Sequence, residues 1–174
     1  MLLSVAGNST IDRLLQSRNE SEPHKVIPKY FNSLRHVTFA FALNIVPMVR
    51  HSIGTAFRSN RTIEVIKEFK YFPNVHTFDY NNRFADCSKL RVIYIPRTIT
   101  SLGSNAFAYT ALEVVVMEAE TPPTLDTQAF RNIPRNGTVY VPQGCVGNYS
   151  AWRSNTAYRP GYYGWAITDN EYTG

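Results

Sequence analysis

The stretch LRVIYIPRTITSLGSNAF, residues 90–107, decides the fold. Its apolar side chains Leu90, Ile93, Ile95, Ile99 and Leu102 recur at intervals of three, two, four and three, which matches neither a helical face nor one alternating strand. Alternation within LRVIYIP turns Ile93 and Ile95 inward with Leu90 and leaves Val92 and Tyr94 outward. Pro96 ends that strand, because it has no N–H to give to an interior ladder. Ile99 and Leu102 then point back into the same core from the opposite wall, Gly103 permits the turn, and Phe107 closes the unit. Such a unit is one coil of a solenoid: it cannot bury its apolar face alone and is stabilised by stacking on its neighbours.

The rest of the chain supplies the neighbours. RFADCSKLRVIYIP at 83–96 aligns with AFAYTALEVVVME at 106–118, and QAF at 128–130 repeats the closing step, so that Phe84, Phe107 and Phe130 are each 23 residues apart. Upstream, SIGTAF at 52–57 repeats TSLGSNAF and LRHVTF at 34–39 repeats LRVIYI. Four units and a terminal piece account for Leu34 to Val141, and a period of about 23 residues falls in the leucine-rich-repeat range. Phe57, Phe84, Phe107 and Phe130 are therefore expected to form a structural spine.

The ordered submotifs L-x-x-I-x-I-P, I-x-x-L-G and A-F resemble those of the BspA-like leucine-rich-repeat family over roughly residues 30–155. That resemblance implies a β-rich α/β solenoid of about four coils of ~23 residues with short parallel strands, closed by a C-terminal cap. By the same resemblance, IEVIKEFKYFPNVHTF at 63–78 looks like a variant in which a short amphipathic helix replaces the first strand, and TPPTLDTQAF with GTVYVPQGCVGNYSAW looks like the way such arrays end. The domain organisation expected is an N-terminal helix and linker or cap at 1–30, a solenoid at 31–141 and a cap or tail at 142–174. In the first of these, Thr10 and Asp12 begin a helix over IDRLLQSR. In the last, RPGYYGWAITDNEYTG shows no repeat register and reads as a cap packing Tyr163 and Trp165 on the last coil or as the start of a connection.

Composition bounds the function. Eleven Tyr and ten Phe stand against 18% charged residues, which suits strands. The net charge of +5 is scattered rather than gathered in a run, so no nucleic-acid arm or polybasic membrane segment is expected. Cys87 and Cys145 match no metal spacing and read as two small buried side chains, with a single bridge as the alternative. No segment has the ~18 consecutive apolar residues of a membrane span. The opening MLLSVAGNST has too short an apolar run for a signal peptide, so the chain reads as cytoplasmic or as a mature piece of something longer. The sequons at Asn8, Asn19, Asn60, Asn136 and Asn148 would matter only in a eukaryotic secretory pathway.

No catalytic or metal-ligating constellation emerges. His24, His36, His51 and His76 are each isolated, there is no G-x-S-x-G or phosphate-cradling loop, and the glycine and serine of LGSNAF are turn residues in the repeat register. No enzyme activity and no cofactor are expected. The outward positions of the first strands make a ladder instead: Thr38, Val92, Tyr94, Val114, Val116 and Tyr140, with Arg35 and Arg91 as a polar rim. Such a face either merely suits a sheet surface or is a contact surface. The family resemblance implies a cell-surface or extracellular, bacterial protein-binding or adhesion module, whose partner is a host matrix or host-cell protein or a neighbouring domain. The alternatives are a carbohydrate-binding module using Trp152, Tyr162 or Trp165, and a structural spacer that presents another domain.

Overall fold

The computed structural model describes residues 57–67, 69, 75–78 and 83–174. The helix and linker expected over 1–30, the unit at 34–57 apart from its closing Phe57, and with it Thr38 and Arg35, lie outside the described residues. Within them the chain winds into a solenoid with two parallel sheets. One has five strands in the order β1 (Val65–Ile66), β3 (Val92–Ile95), β5 (Val114–Met117), β7 (Thr138–Tyr140) and β8 (Ala166–Thr168). The other has three, β2 (Thr77–Phe78), β4 (Ser101–Leu102) and β6 (Thr124–Leu125). The coils that begin with β1, β3 and β5 each give one strand to each sheet, which is how the odd spacing of residues 90–107 is resolved. Ile93 and Ile95 enter the core from β3, Leu102 enters it from β4, and all three are fully buried.

The register is strict. Ile93 pairs with Val115, Val115 with Val139, and Val139 with Ile167, all parallel, so one buried residue per strand forms a continuous inner row. A third wall is built from turns, and it too carries an inter-coil ladder. Phe84 N donates to Ala106 O and Phe107 N to Ala129 O, both at 2.9 Å, while Asp86 N donates to Ala108 O and Tyr109 N to Arg131 O, also at 2.9 Å. This wall needs a left-handed residue in every coil. Ser59, Asp86, Tyr109 and Asn132, each two places after a closing Phe, have φ between 54° and 63°. Three of the four are short polar residues that tolerate this region.

The closing phenylalanines stack through the core. Phe57 to Phe84 and Phe84 to Phe107 are both 5.4 Å between ring centroids, and Phe107 to Phe130 is 5.3 Å. Trp152, on a 3-10 turn at Ser150–Arg153, ends the column by meeting Phe130 edge-on at 5.7 Å. The tail beyond Val141, in which the sequence shows no repeat motif, nevertheless adds β8 to the long sheet. Tyr163 and Trp165 are buried beneath it. The Tyr163 hydroxyl accepts a bond from Asn132 N at 2.8 Å, and the Trp165 indole donates to Pro134 O at 2.8 Å. Close packing there leaves no room for a side chain at Gly137, where a Cβ would fall on the Trp165 ring and the Glu113 carbonyl.

One expectation is overturned. The first strand of the unit at 63–78 is not replaced by a helix: Val65–Ile66 forms β1, in register with Val92–Ile93. Ile63, Ile66 and Phe69 are all buried, a spacing that a helix and a strand followed by a turn satisfy equally. What decides is the neighbouring coil, whose Arg91 and Val92 amides both donate to Glu64 O at 2.8 and 3.2 Å. The β-branched Ile63, Val65 and Ile66 then suit the sheet better than a helix.

Candidate functional site

Alternation that turns Ile93, Val115, Val139 and Ile167 inward puts their neighbours on the outer face of the five-stranded sheet. Register aligns these into two rows. One contains Val65, Val92, Val114, Thr138 and Ala166. The other contains Tyr94, Val116, Tyr140 and Thr168, with Lys67 following β1 at its far end. Val92, Tyr94, Val114, Val116 and Tyr140 are all half-buried. The opposite sheet is polar outside: Thr77, Ser101 and Thr124 take its outer positions, and the Thr100 and Thr124 hydroxyls donate to the carbonyls of His76 and Thr100 in the preceding coils. Of the two sheets, the five-stranded one therefore carries the apolar outer face among the described residues.

That surface has an occupant from within the chain. Tyr94 and Tyr140 lie on strands two apart, roughly 10 Å at normal strand spacing, with the small Val116 between them. The ring of Tyr172 sits in this gap, 6.1 Å from Tyr94 and 5.0 Å from Tyr140 between centroids. Residues 169–174 thus cross the strands instead of following them. At the near end the Asp169 carboxylate accepts from Gly144 N at 2.8 Å and from the Gln143 amide at 3.3 Å. At the far end Lys67 Nζ donates to Gly174 O at 3.0 Å and lies 5.2 Å over the Tyr94 ring. A shallow hollow of about 330 Å³ remains beside the segment, bounded by Met117, Tyr140, Pro142 and Glu171. At the other margin of the face, Arg91 directs two N–H groups at one oxygen of Glu113, at 2.8 and 3.1 Å. The hydrogen bond to Glu113 raises the Arg91 pKa further above its ordinary value.

A second, smaller aromatic group lies on the turn wall. Tyr109 and Tyr162 are the exposed large hydrophobics among the described residues, 46% and 39% accessible. The Arg131 guanidinium lies 5.7 Å from the Tyr109 ring and 5.9 Å from Tyr158. The sequence signal for this group is that Tyr109 occupies a left-handed position taken by Ser59, Asp86 and Asn132 in the other coils. Tyr172 and Lys67 carry no comparable signal. Of the three residues on which a carbohydrate-binding reading could draw, Trp152 and Trp165 are buried at 1% and 5% accessibility, the first against Phe130 and the second bonded to Pro134 O. Only Tyr162 is left to meet a sugar.

The remaining chemistry is structural. Cys87 and Cys145 are both free and buried. Burial pushes the Cys87 thiol up to about 12, and its Sγ donates to Phe57 O. Asn60 belongs to a sequon, but it is buried, and its Oδ1 accepts from Thr62 N and Ile63 N at 2.9 Å; it shapes a turn and is closed to modification. His76 is exposed beside Thr98 O at 3.3 Å. Among the described residues there is no cluster of three or more His, Cys, Asp or Glu placed to hold a metal, and no helix long and apolar enough to cross a membrane.

Comparison with known proteins agrees with this architecture. Residues 51–136 match the family model of the BspA-type leucine-rich repeat region (6 copies). No curated protein and no solved structure was found to match the chain. Repeat solenoids of this kind are scaffolds that present a continuous surface suited to protein contact. With the repeat motif, the parallel ladders and the stacked phenylalanine column in agreement, residues 51–136 are a BspA-type leucine-rich-repeat region.

Proposed function

We propose that this protein is a non-catalytic protein-binding and adhesion module of a cell-surface leucine-rich-repeat protein. Its contact surface is the outer face of the five-stranded sheet, at Val92, Tyr94, Val114, Val116 and Tyr140; Thr38, the remaining residue of the expected ladder, lies outside the described residues. One observation supports this reading above the others: the Tyr94–Val116–Tyr140 row already accepts an aromatic ring from a segment lying across it. A sheet face that merely tolerates β-branched residues has no need of a gap sized to a ring. Interface energy concentrates in aromatic anchors seated in such gaps.

The test uses the parent chain and the Tyr94→Ala/Tyr140→Ala variant over purified extracellular-matrix proteins and host-cell surfaces, with circular dichroism as the folding control. Loss of the two anchors is expected to weaken binding by about tenfold or more, in line with hot-spot truncations. Equal binding by the folded variant would refute this surface. A parent chain that binds nothing in either format would favour the spacer reading.

A further inference from the structure

The segment at 169–174 touches the outer face at three separated points, and each uses a different kind of recognition. Asp169 reads the Gly144 amide at 2.8 Å, Tyr172 fills the ring-sized gap, and the Gly174 carbonyl receives Lys67 at 3.0 Å. A fourth restriction lies at Gly174 itself, where a Cβ would meet the Tyr172 phenol at 2.5 to 2.7 Å. Between these points, Glu171 and Thr173 are exposed. The segment is joined to the scaffold through β8, so it meets the face at the millimolar effective concentration typical of a short tether, and weak contacts suffice to hold it.

We propose that residues 169–174 are an internal occupant of this face, and that the external partner it stands in for is an extended peptide of the pattern Asp-x-x-Tyr-x-Gly. The inference rests on the reading of the face as a contact surface and adds the class of partner and the way its access is controlled. An external segment gains the face only by displacing Tyr172, so the chain in isolation is self-masked. Unmasking follows from any event that draws the tail away, and a second copy's tail fulfils the same pattern.

The probe is the blocked peptide acetyl-DNEYTG-amide, tested on the full-length chain and on its Asp169→Ala/Tyr172→Ala variant. Binding is followed by chemical-shift changes in the strand amides of Tyr94, Val116 and Tyr140. The variant is expected to bind the peptide at least tenfold more tightly than the parent, and a peptide with Ala for Tyr is expected to bind at least tenfold more weakly. Equal affinity of parent and variant, equal affinity of the two peptides, or shifts located elsewhere would overturn the proposal. Chymotrypsin cleavage after Tyr172 in the unaltered chain gives a readout that does not depend on the variant's folding. Excess peptide is expected to accelerate this cleavage at least threefold by displacing the tail, and an unchanged rate counts against displacement. Should the peptide fail while Tyr94→Ala/Tyr140→Ala still abolishes matrix-protein binding, the inference falls and the proposed function stands. Peptide binding without any protein partner would uphold the inference and remove that function.

Discussion

Replacing Phe107 by Ala tests the stacking account at its centre. Phe107 is fully buried, and its ring lies 5.4 Å from Phe84 at 6° and 5.3 Å from Phe130 at 21°, with the edge of Phe78 at 6.1 Å. Truncation removes the middle of a column whose successive coils are tied together by backbone bonds from Phe84 N to Ala106 O and from Phe107 N to Ala129 O. The cavity therefore has little freedom to collapse. A Phe→Ala change at such a site costs ~3 to 5 kcal/mol, and the upper half of that range applies when neighbours cannot move in. For a chain of this size roughly 2 to 4 °C is lost per kcal/mol, so the thermal midpoint should fall by about 10 °C or more. Because each coil is stabilised by its neighbours, the loss should spread beyond one unit. Differential scanning calorimetry on parent, Phe107→Ala and the surface control Tyr162→Ala measures it. A midpoint for Phe107→Ala within error of the parent would show that the column does not hold the array together.

Further outcomes follow from particular contacts. Gly137→Ala should destabilise by about 1 to 3 kcal/mol, the usual effect of overpacking, because its Cβ meets the Trp165 ring and the Glu113 carbonyl; urea titration measures this. The Cys87 thiol, raised from its ordinary 9.0 to about 12 by burial, holds its proton more tightly in the folded chain than in the unfolded one. Its contribution is therefore fully present below pH 9 and is lost as pH rises toward 12, with a slope of at most ~1.4 kcal/mol per pH unit. Cys87→Ala should flatten that part of the stability profile. A chelator should leave the melting temperature unchanged, in keeping with the absence of a ligand cluster among the described residues.

The coil at residues 90–107 was legible because each of its side chains has one role, and Pro96 and Gly103 mark the corners. Burial agrees with the reading residue by residue, from Leu90 through Phe107. The unit at 63–78 was ambiguous for a physical reason: Ile63, Ile66 and Phe69 face the core at a spacing that two backbones share, and only the amides of Arg91 and Val92 select the strand. β8 was invisible because three residues, Ala166–Thr168, are too few to show a period. The outward ladder was readable from alternation, but its occupant was not. Nothing local in NEYTG says that Tyr172 returns to Tyr94 and Tyr140. Trp152 and Trp165 misled in the opposite direction, since aromatic side chains in a tail without repeats serve the cap as readily as they serve a ligand.

The proposed contact surface is tested most directly by hydroxyl-radical footprinting of the tyrosines, with and without a matrix protein that the parent chain binds. Binding at the outer face of the long sheet predicts that Tyr94 and Tyr140 become protected from oxidation while Tyr172, displaced from between them, becomes more reactive. Protection of Tyr109 and Tyr162 on the turn wall, with Tyr94, Tyr140 and Tyr172 unchanged, would contradict it.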